Sequence, residues 1–105
     1  MPLAVDVVGR DGVSRVEYAL NVSASGIGLH LPRPLPAGES LALGFMLPDG
    51  GGRIEARGRV AWSEAIPRTA RPRFREIGIH FEVLREEDRR RLARFVAGGG
   101  DRSTG

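Results

Sequence analysis

The sequence contains no cysteine and no lysine. Without thiols there is no disulfide framework, no thiolate nucleophile and no cysteine-based zinc site, so stability has to come from packing. All sixteen basic residues are therefore arginine, running from Arg10 to Arg102. A guanidinium stays charged and offers a planar fork suited to phosphates, carboxylates and guanine edges. The net charge of +3 is nevertheless modest, short of what a dedicated nucleic-acid binder of this size carries. Long apolar runs are also missing: none approaches the roughly 20 residues that span a bilayer. The start, Met1-Pro2-Leu3-Ala4-Val5-Asp6, lacks the basic and then apolar order of a secretory signal. Membrane insertion is not expected, and the cytoplasm is the expected compartment.

Chemistry-bearing motifs are equally scarce. The two histidines, His30 and His80, have no metal-ligand spacing, and each is read as an outward imidazole between inward apolar neighbours. There is no Ser-His-acid pattern, no Gly-x-Ser-x-Gly, no phosphate-binding glycine loop and no dinucleotide fingerprint. Gly50-Gly51-Gly52 reads as a turn. No catalytic residue, resident cofactor or metal is assigned, and an enzyme is not expected.

What is present is alternation of apolar and polar residues with period two, in short runs broken by glycine and proline. A chain of 105 residues holds one domain with one core, placed here at residues 1–97 with a flexible glycine-rich tail at 98–105. Leu3, Val5 and Val7 share one face of a first strand, and Gly9-Arg10-Asp11-Gly12 turns into a second with Val16, Tyr18, Leu20 and Val22 expected inward. Ile27, Leu29 and Leu31 give a third strand, ended by the prolines of Pro32-Arg33-Pro34-Leu35-Pro36. Leu41, Leu43, Phe45 and Leu47 mark a fourth, followed by a turn from Pro48 to Gly52. The fifth points Ile54, Ala56, Gly58, Val60 and Trp62 one way, with Trp62 expected in the core, and Arg53, Glu55, Arg57 and Arg59 the other. The sixth carries Ile77, Ile79 and Phe81 inward, with Glu76, Gly78 and His80 opposite. Six strands in a meander suit a closed or nearly closed barrel, which removes vulnerable edges.

The period changes after residue 85. Leu92, Phe95 and Val96 lie on one helical stripe, while Glu86, Glu87 and Asp88 in the first turn and Arg94 in the last complement the helix dipole. Glu86 with Arg90 and Glu87 with Arg91 are four-residue pairs. Gly98-Gly99-Gly100 is expected to end the helix.

One stretch stands out, Asn21-Val22-Ser23-Ala24-Ser25-Gly26-Ile27-Gly28-Leu29. It resembles the PilZ family, whose hallmark is Asp/Asn-x-Ser-x-x-Gly at a junction between two strands of a six-stranded barrel; Asn21, Ser23 and Gly26 match. The resemblance continues through Gly58-Arg59-Val60-Ala61-Trp62, Ile77-Gly78-Ile79-His80-Phe81 and the helix ending Leu92-Ala93-Arg94-Phe95-Val96. It implies an all-β fold, a six-stranded antiparallel split β-barrel with one C-terminal α-helix. It further implies a junction where Asn21 and Ser23 offer hydrogen bonds to cyclic-di-GMP and Gly26 allows close backbone approach. Beside this stands a purely structural reading, in which Asn and Ser form turns with their own backbone and Gly permits the strand junction.

The family's second motif, Arg-x-x-x-Arg ahead of the first strand, clamps guanine edges and phosphates. Here Met1-Pro2-Leu3 stands about where that motif would already have ended, and whether the natural chain extends upstream is open. Arg10 and Arg15 are one residue too far apart and flank the first turn. Substitutes are Arg57 and Arg59 on the outward face of the fifth strand, and Arg68, Arg71, Arg73 and Arg75 around the following hairpin, which otherwise form a solvated or protein-docking basic cluster. The expected function is that of a degenerate PilZ-like adaptor in bacterial signalling, regulating motility, pilus or related processes through a protein partner, with weak or no cyclic-di-GMP binding. The alternatives are a cyclic-di-GMP receptor using Asn21, Ser23 and Gly26 with non-standard arginines and, as a minor one, a nucleic-acid-binding barrel. The last needs aromatic residues on an outer face, whereas Trp62 and Phe81 are expected inward. A homodimer is an open alternative.

Overall fold

The computed structural model describes residues 3–32, 35–65 and 75–98. These form β1 (Leu3–Val8), β2 (Ser14–Val22), β3 (Gly26–Leu31), β4 (Ser40–Met46), β5 (Arg53–Ala65), β6 (Arg75–Leu84) and α1 (Glu86–Ala97). The strands pair antiparallel around a closed barrel in the order β1-β2-β3-β6-β5-β4. This corrects the expected meander: β3 pairs with β6 and β1 with β4. Alternation locates strands but does not choose their neighbours. β4 instead takes its place between β1 and β5.

Apolar residues of alternating strands fill the interior, with Val5, Leu29, Leu31, Ile54, Ile77 and Leu92 wholly buried. Phe45 and Phe81 stack across it with ring centroids 6.4 Å apart. The inward faces of β3, β4 and β6 are those the alternation predicts.

Two faces are not. In β2, Val16, Tyr18 and Leu20 are exposed, and the buried residues are Ala19 and Val22. A bulge explains it: Ala19 opposes Leu29, but the next partner of β3, Gly28, opposes Asn21, which leaves Leu20 as the extra residue. An inserted residue reverses the phase of everything beyond it. In β5 the same happens between Val60, opposite Ile79, and Trp62, opposite Gly78. Trp62 therefore leaves the core face and is 45% exposed.

α1 closes the barrel end that carries the β2–β3 and β4–β5 turns. Its acidic first turn and Arg94 in its last turn lie as the dipole favours, and the Gly98 N–H caps it on the Arg94 carbonyl at 2.8 Å. Leu92 enters the core and Phe95 packs against it, whereas Val96 is 39% exposed, because only a narrow stripe faces the barrel. The Glu86–Arg90 pair forms at 3.7 Å. The Glu87–Arg91 pair does not: Glu87 meets Arg85, and Arg91 turns to the β4–β5 turn. Its Nη2 donates to Asp49 Oδ1 (2.9 Å) and the Gly52 carbonyl (3.0 Å), its Nε to Asp49 Oδ2 (3.3 Å) and its Nη1 to Asp88 Oδ1 (3.2 Å). Asp88, in the first turn as expected, is thereby buried with a partner.

Two outcomes follow from this closure. Leu92→Ala should lower the unfolding free energy by about 2–5 kcal/mol, as truncation of a fully buried leucine does, read by urea denaturation. The Arg91 guanidinium, and after it the Gly51 N–H, hold the Asp49 carboxyl below its ordinary range. A depressed folded-state pKa gives stability that is complete above the unfolded value and lost as pH falls through the folded one. The tie between α1 and the turn should thus be insensitive to pH above about 5 and weaken below about 4, and Asp49→Asn should remove that acid-dependent component from the denaturation midpoint.

A candidate ligand cleft over paired glycines

Asn21, Ser23 and Gly26 do come together, at the end of the barrel closed by α1. Ser23 holds the loop. Its N–H donates to the Gly26 carbonyl at 2.9 Å, and its Oγ accepts from the N–H groups of Ser25 (3.2 Å) and Gly26 (3.3 Å). The loop is pinned from outside by the Phe81 N–H on the Ser25 carbonyl (2.9 Å) and by Arg89 Nη1 on the Ala24 carbonyl (2.6 Å). Gly26 lies against β6 so closely that a Cβ there would collide with the Ile79 carbonyl. Its role is close backbone approach to the neighbouring strand.

Asn21 does something different. Its side chain lies flat over Gly28, with Oδ1 2.7 Å from where a Cβ would stand. Gly28 pairs with Gly78, and Gly78 pairs with Trp62, whose indole occupies the space above it. Asn21, Gly28, Gly78 and Trp62 thus form one row across β2, β3, β6 and β5. Two bulges turn the outer two residues outward, and two glycines lower the surface between them. The result is an open cleft of about 220 Å³ lined by Asn21, Ser23, Ser25, Ala61, Trp62 and His80, with backbone and apolar atoms of β3 and β6 as its floor. Chemically it offers an indole face for a planar ring, an amide that donates and accepts, and an imidazole.

Among the described residues, the arginines proposed as substitutes do not line it. Arg59 stands beside it, opposite His80, with Nε on Glu82 (2.8 Å) and Nη1 on the Gly38 carbonyl (2.7 Å). Arg57 borders a separate hollow with Ala42, Val83 and Arg85. Arg75 donates to Ser63 Oγ at 2.9 Å. Arg68, Arg71 and Arg73, like the tail from residue 99, lie outside the described residues. Arg10 and Arg15 border a hollow of about 230 Å³ near the β1–β2 turn, where Arg15 pairs with Asp11 at 3.0 Å. The described residues include no cluster of metal-ligating side chains and no helix long and apolar enough to cross a membrane.

The PilZ domain model matches residues 1–98. The chain belongs to the PilZ domain family. Among solved structures, this PilZ domain is similar to the Bacillus subtilis inhibitor of motility MotI/DgrA (TM-score 0.76, 21% identity, 98% of this chain and 49% of that one). It is also similar to MrkH, described as a c-di-GMP-dependent transcription regulatory factor (TM-score 0.71, 16% identity, 92% and 45%), and to the PilZ domain of CeSA from a cellulose-synthesizing bacterium (0.60, 15%, 93% and 92%). The domain spans about half the length of the first two. No curated protein matches it. The resemblance read from Asn21, Ser23 and Gly26 therefore holds for family and for fold.

The cleft adds Trp62, Gly78 and His80 to the motif residues; alternation puts Gly78 and His80 on the outer face, as found, and misses only the outward turn of Trp62. A signal for the glycines exists: Gly28 and Gly78 interrupt runs of Ile and Leu, and an isolated glycine within a strand marks close approach by another group. Gly78→Ala should push the indole off its platform, seen as a shift in the emission of this single tryptophan, while far-UV circular dichroism stays unchanged because the site is on the outer face. Unaltered emission would contradict the trough.

Proposed function

We propose that this PilZ domain is a signalling module that acts through contact with another protein, and that the cleft between Asn21, Trp62 and His80 receives cyclic-di-GMP as its input. The observation that carries this is the outward Trp62, laid over one glycine with Asn21 over its neighbour. An indole exposed on a barrel surface costs burial it would otherwise gain, and stacking a base on it recovers that contact. The cleft, at about 220 Å³, is below the usual size of a pocket that encloses a whole ligand, so it takes one base and its flanking phosphate. With no guanidinium among its described lining residues, binding by this chain is weak, in keeping with the expectation from sequence. The similarity to MrkH and MotI supports the signalling reading, and the exposed Val16 and Tyr18 on β2 supply an apolar surface of the kind that contacts proteins.

The outward Trp62 also removes one ground on which nucleic acid was set aside, though Phe81 is inward as expected. Titration with cyclic-di-GMP should quench the tryptophan saturably, and Trp62→Ala should weaken calorimetric binding about tenfold to a hundredfold, the range of one lost stacking contact. Asn21→Ala should weaken it less. Tight binding to single-stranded RNA that collapses with salt, with no response to the dinucleotide, would replace this reading with the nucleic-acid one. No response to either would leave an adaptor without ligand.

A further inference from the structure

We propose that His80 is the cation that meets the ligand's phosphate in this cleft, so that binding is coupled to proton uptake by its imidazole. This rests on the reading of the cleft as a cyclic-dinucleotide site. A phosphodiester brings negative charge wherever its base stacks, and something in the cleft has to face it. Asn21 is neutral, and the Ser23 hydroxyl is engaged with its own loop. The nearby guanidiniums among the described residues are committed: Arg59 to Glu82 and the Gly38 carbonyl, and Arg89 to the Ala24 carbonyl. His80 is the one titratable side chain among the described lining residues, and it is exposed.

Its position fits the role. His80 projects from the outer face of β6, two residues from Gly78 on the same side, with Gly26 of the motif loop opposite it on β3 and Arg59 opposite it on β5. The charged groups facing it are Arg59 from β5 and Glu82 from β6 itself, and these two neutralise each other as a pair at 2.8 Å. β3 presents only Gly26 and the serine loop here. His30 and Glu76 face each other further along the same two strands. A base stacked on Trp62 over Gly78 therefore carries its phosphate toward the imidazole and the motif loop.

The sign follows directly. A bound phosphate favours the charged imidazole, so protonation and ligand strengthen each other. Affinity is greatest where the free imidazole is already charged and falls as pH rises past the imidazole range, while phosphodiesters keep their charge throughout. Each unit by which the ligand raises proton affinity is a tenfold difference between the acidic and alkaline limits; for an exposed contact we expect about three- to tenfold.

The test titrates the full chain with cyclic-di-GMP by Trp62 quenching and calorimetry between about pH 5.5 and pH 8, where histidine changes charge. The wild type should bind about three- to tenfold more tightly at the acidic end. His80→Gln should hold the weaker alkaline affinity at every pH, and His80→Arg the stronger one. A wild-type Kd constant across this range, or a His80→Gln variant that keeps the dependence, overturns the role of His80 and leaves the cleft reading standing. Absence of saturable binding at every pH, in the wild type and in His80→Arg alike, overturns the cleft reading and this inference with it.

Discussion

The surface of this domain is organised by a contact between two residues without side chains. Gly28 and Gly78 face each other across β3 and β6, and the missing Cβ atoms lower the sheet where a barrel wall would otherwise be level. Strand glycines weaken a sheet, so the pair has to be stabilised by what lies over it, and here Asn21 and Trp62 fill that space. The bulges in β2 and β5 are the necessary complement. Each inserts one residue, and each thereby rotates outward a side chain that unbroken alternation would send elsewhere. Remove either glycine and the covering side chain is displaced; remove either bulge and the side chain never arrives.

The motif residues divide accordingly. Ser23 and Gly26 are explained almost wholly by structure: one hydroxyl closes the β2–β3 loop, and one bare Cα lets that loop press against the Ile79 carbonyl. Asn21 and Trp62 cover the two glycines from outside, and the rest of each side chain is open to the cleft. The same short motif therefore serves as scaffold at its serine and glycine, while its asparagine stands exposed at the cleft.

The helix lends the loop its rigidity. Arg91 fastens α1 to the β4–β5 turn through both oxygens of Asp49, Leu92 plugs the barrel, and Arg89 reaches the Ala24 carbonyl at the crest of the β2–β3 loop. The cleft's rim and the helix are thus joined by a direct hydrogen bond.

Much was legible in the sequence: the strand positions, the inward faces of β3, β4 and β6, the helix with its dipole-matched ends, and Asn21, Ser23 and Gly26 as a junction. These are local properties, determined by period and by turn chemistry within a few residues. Strand order, the outward turn of Trp62, the exposure of Val16 and Tyr18, and the partner of Arg91 were decided only in three dimensions. A bulge is defined by the strand opposite and an ion pair by the nearest carboxylate in space, and neither neighbour is adjacent in the chain.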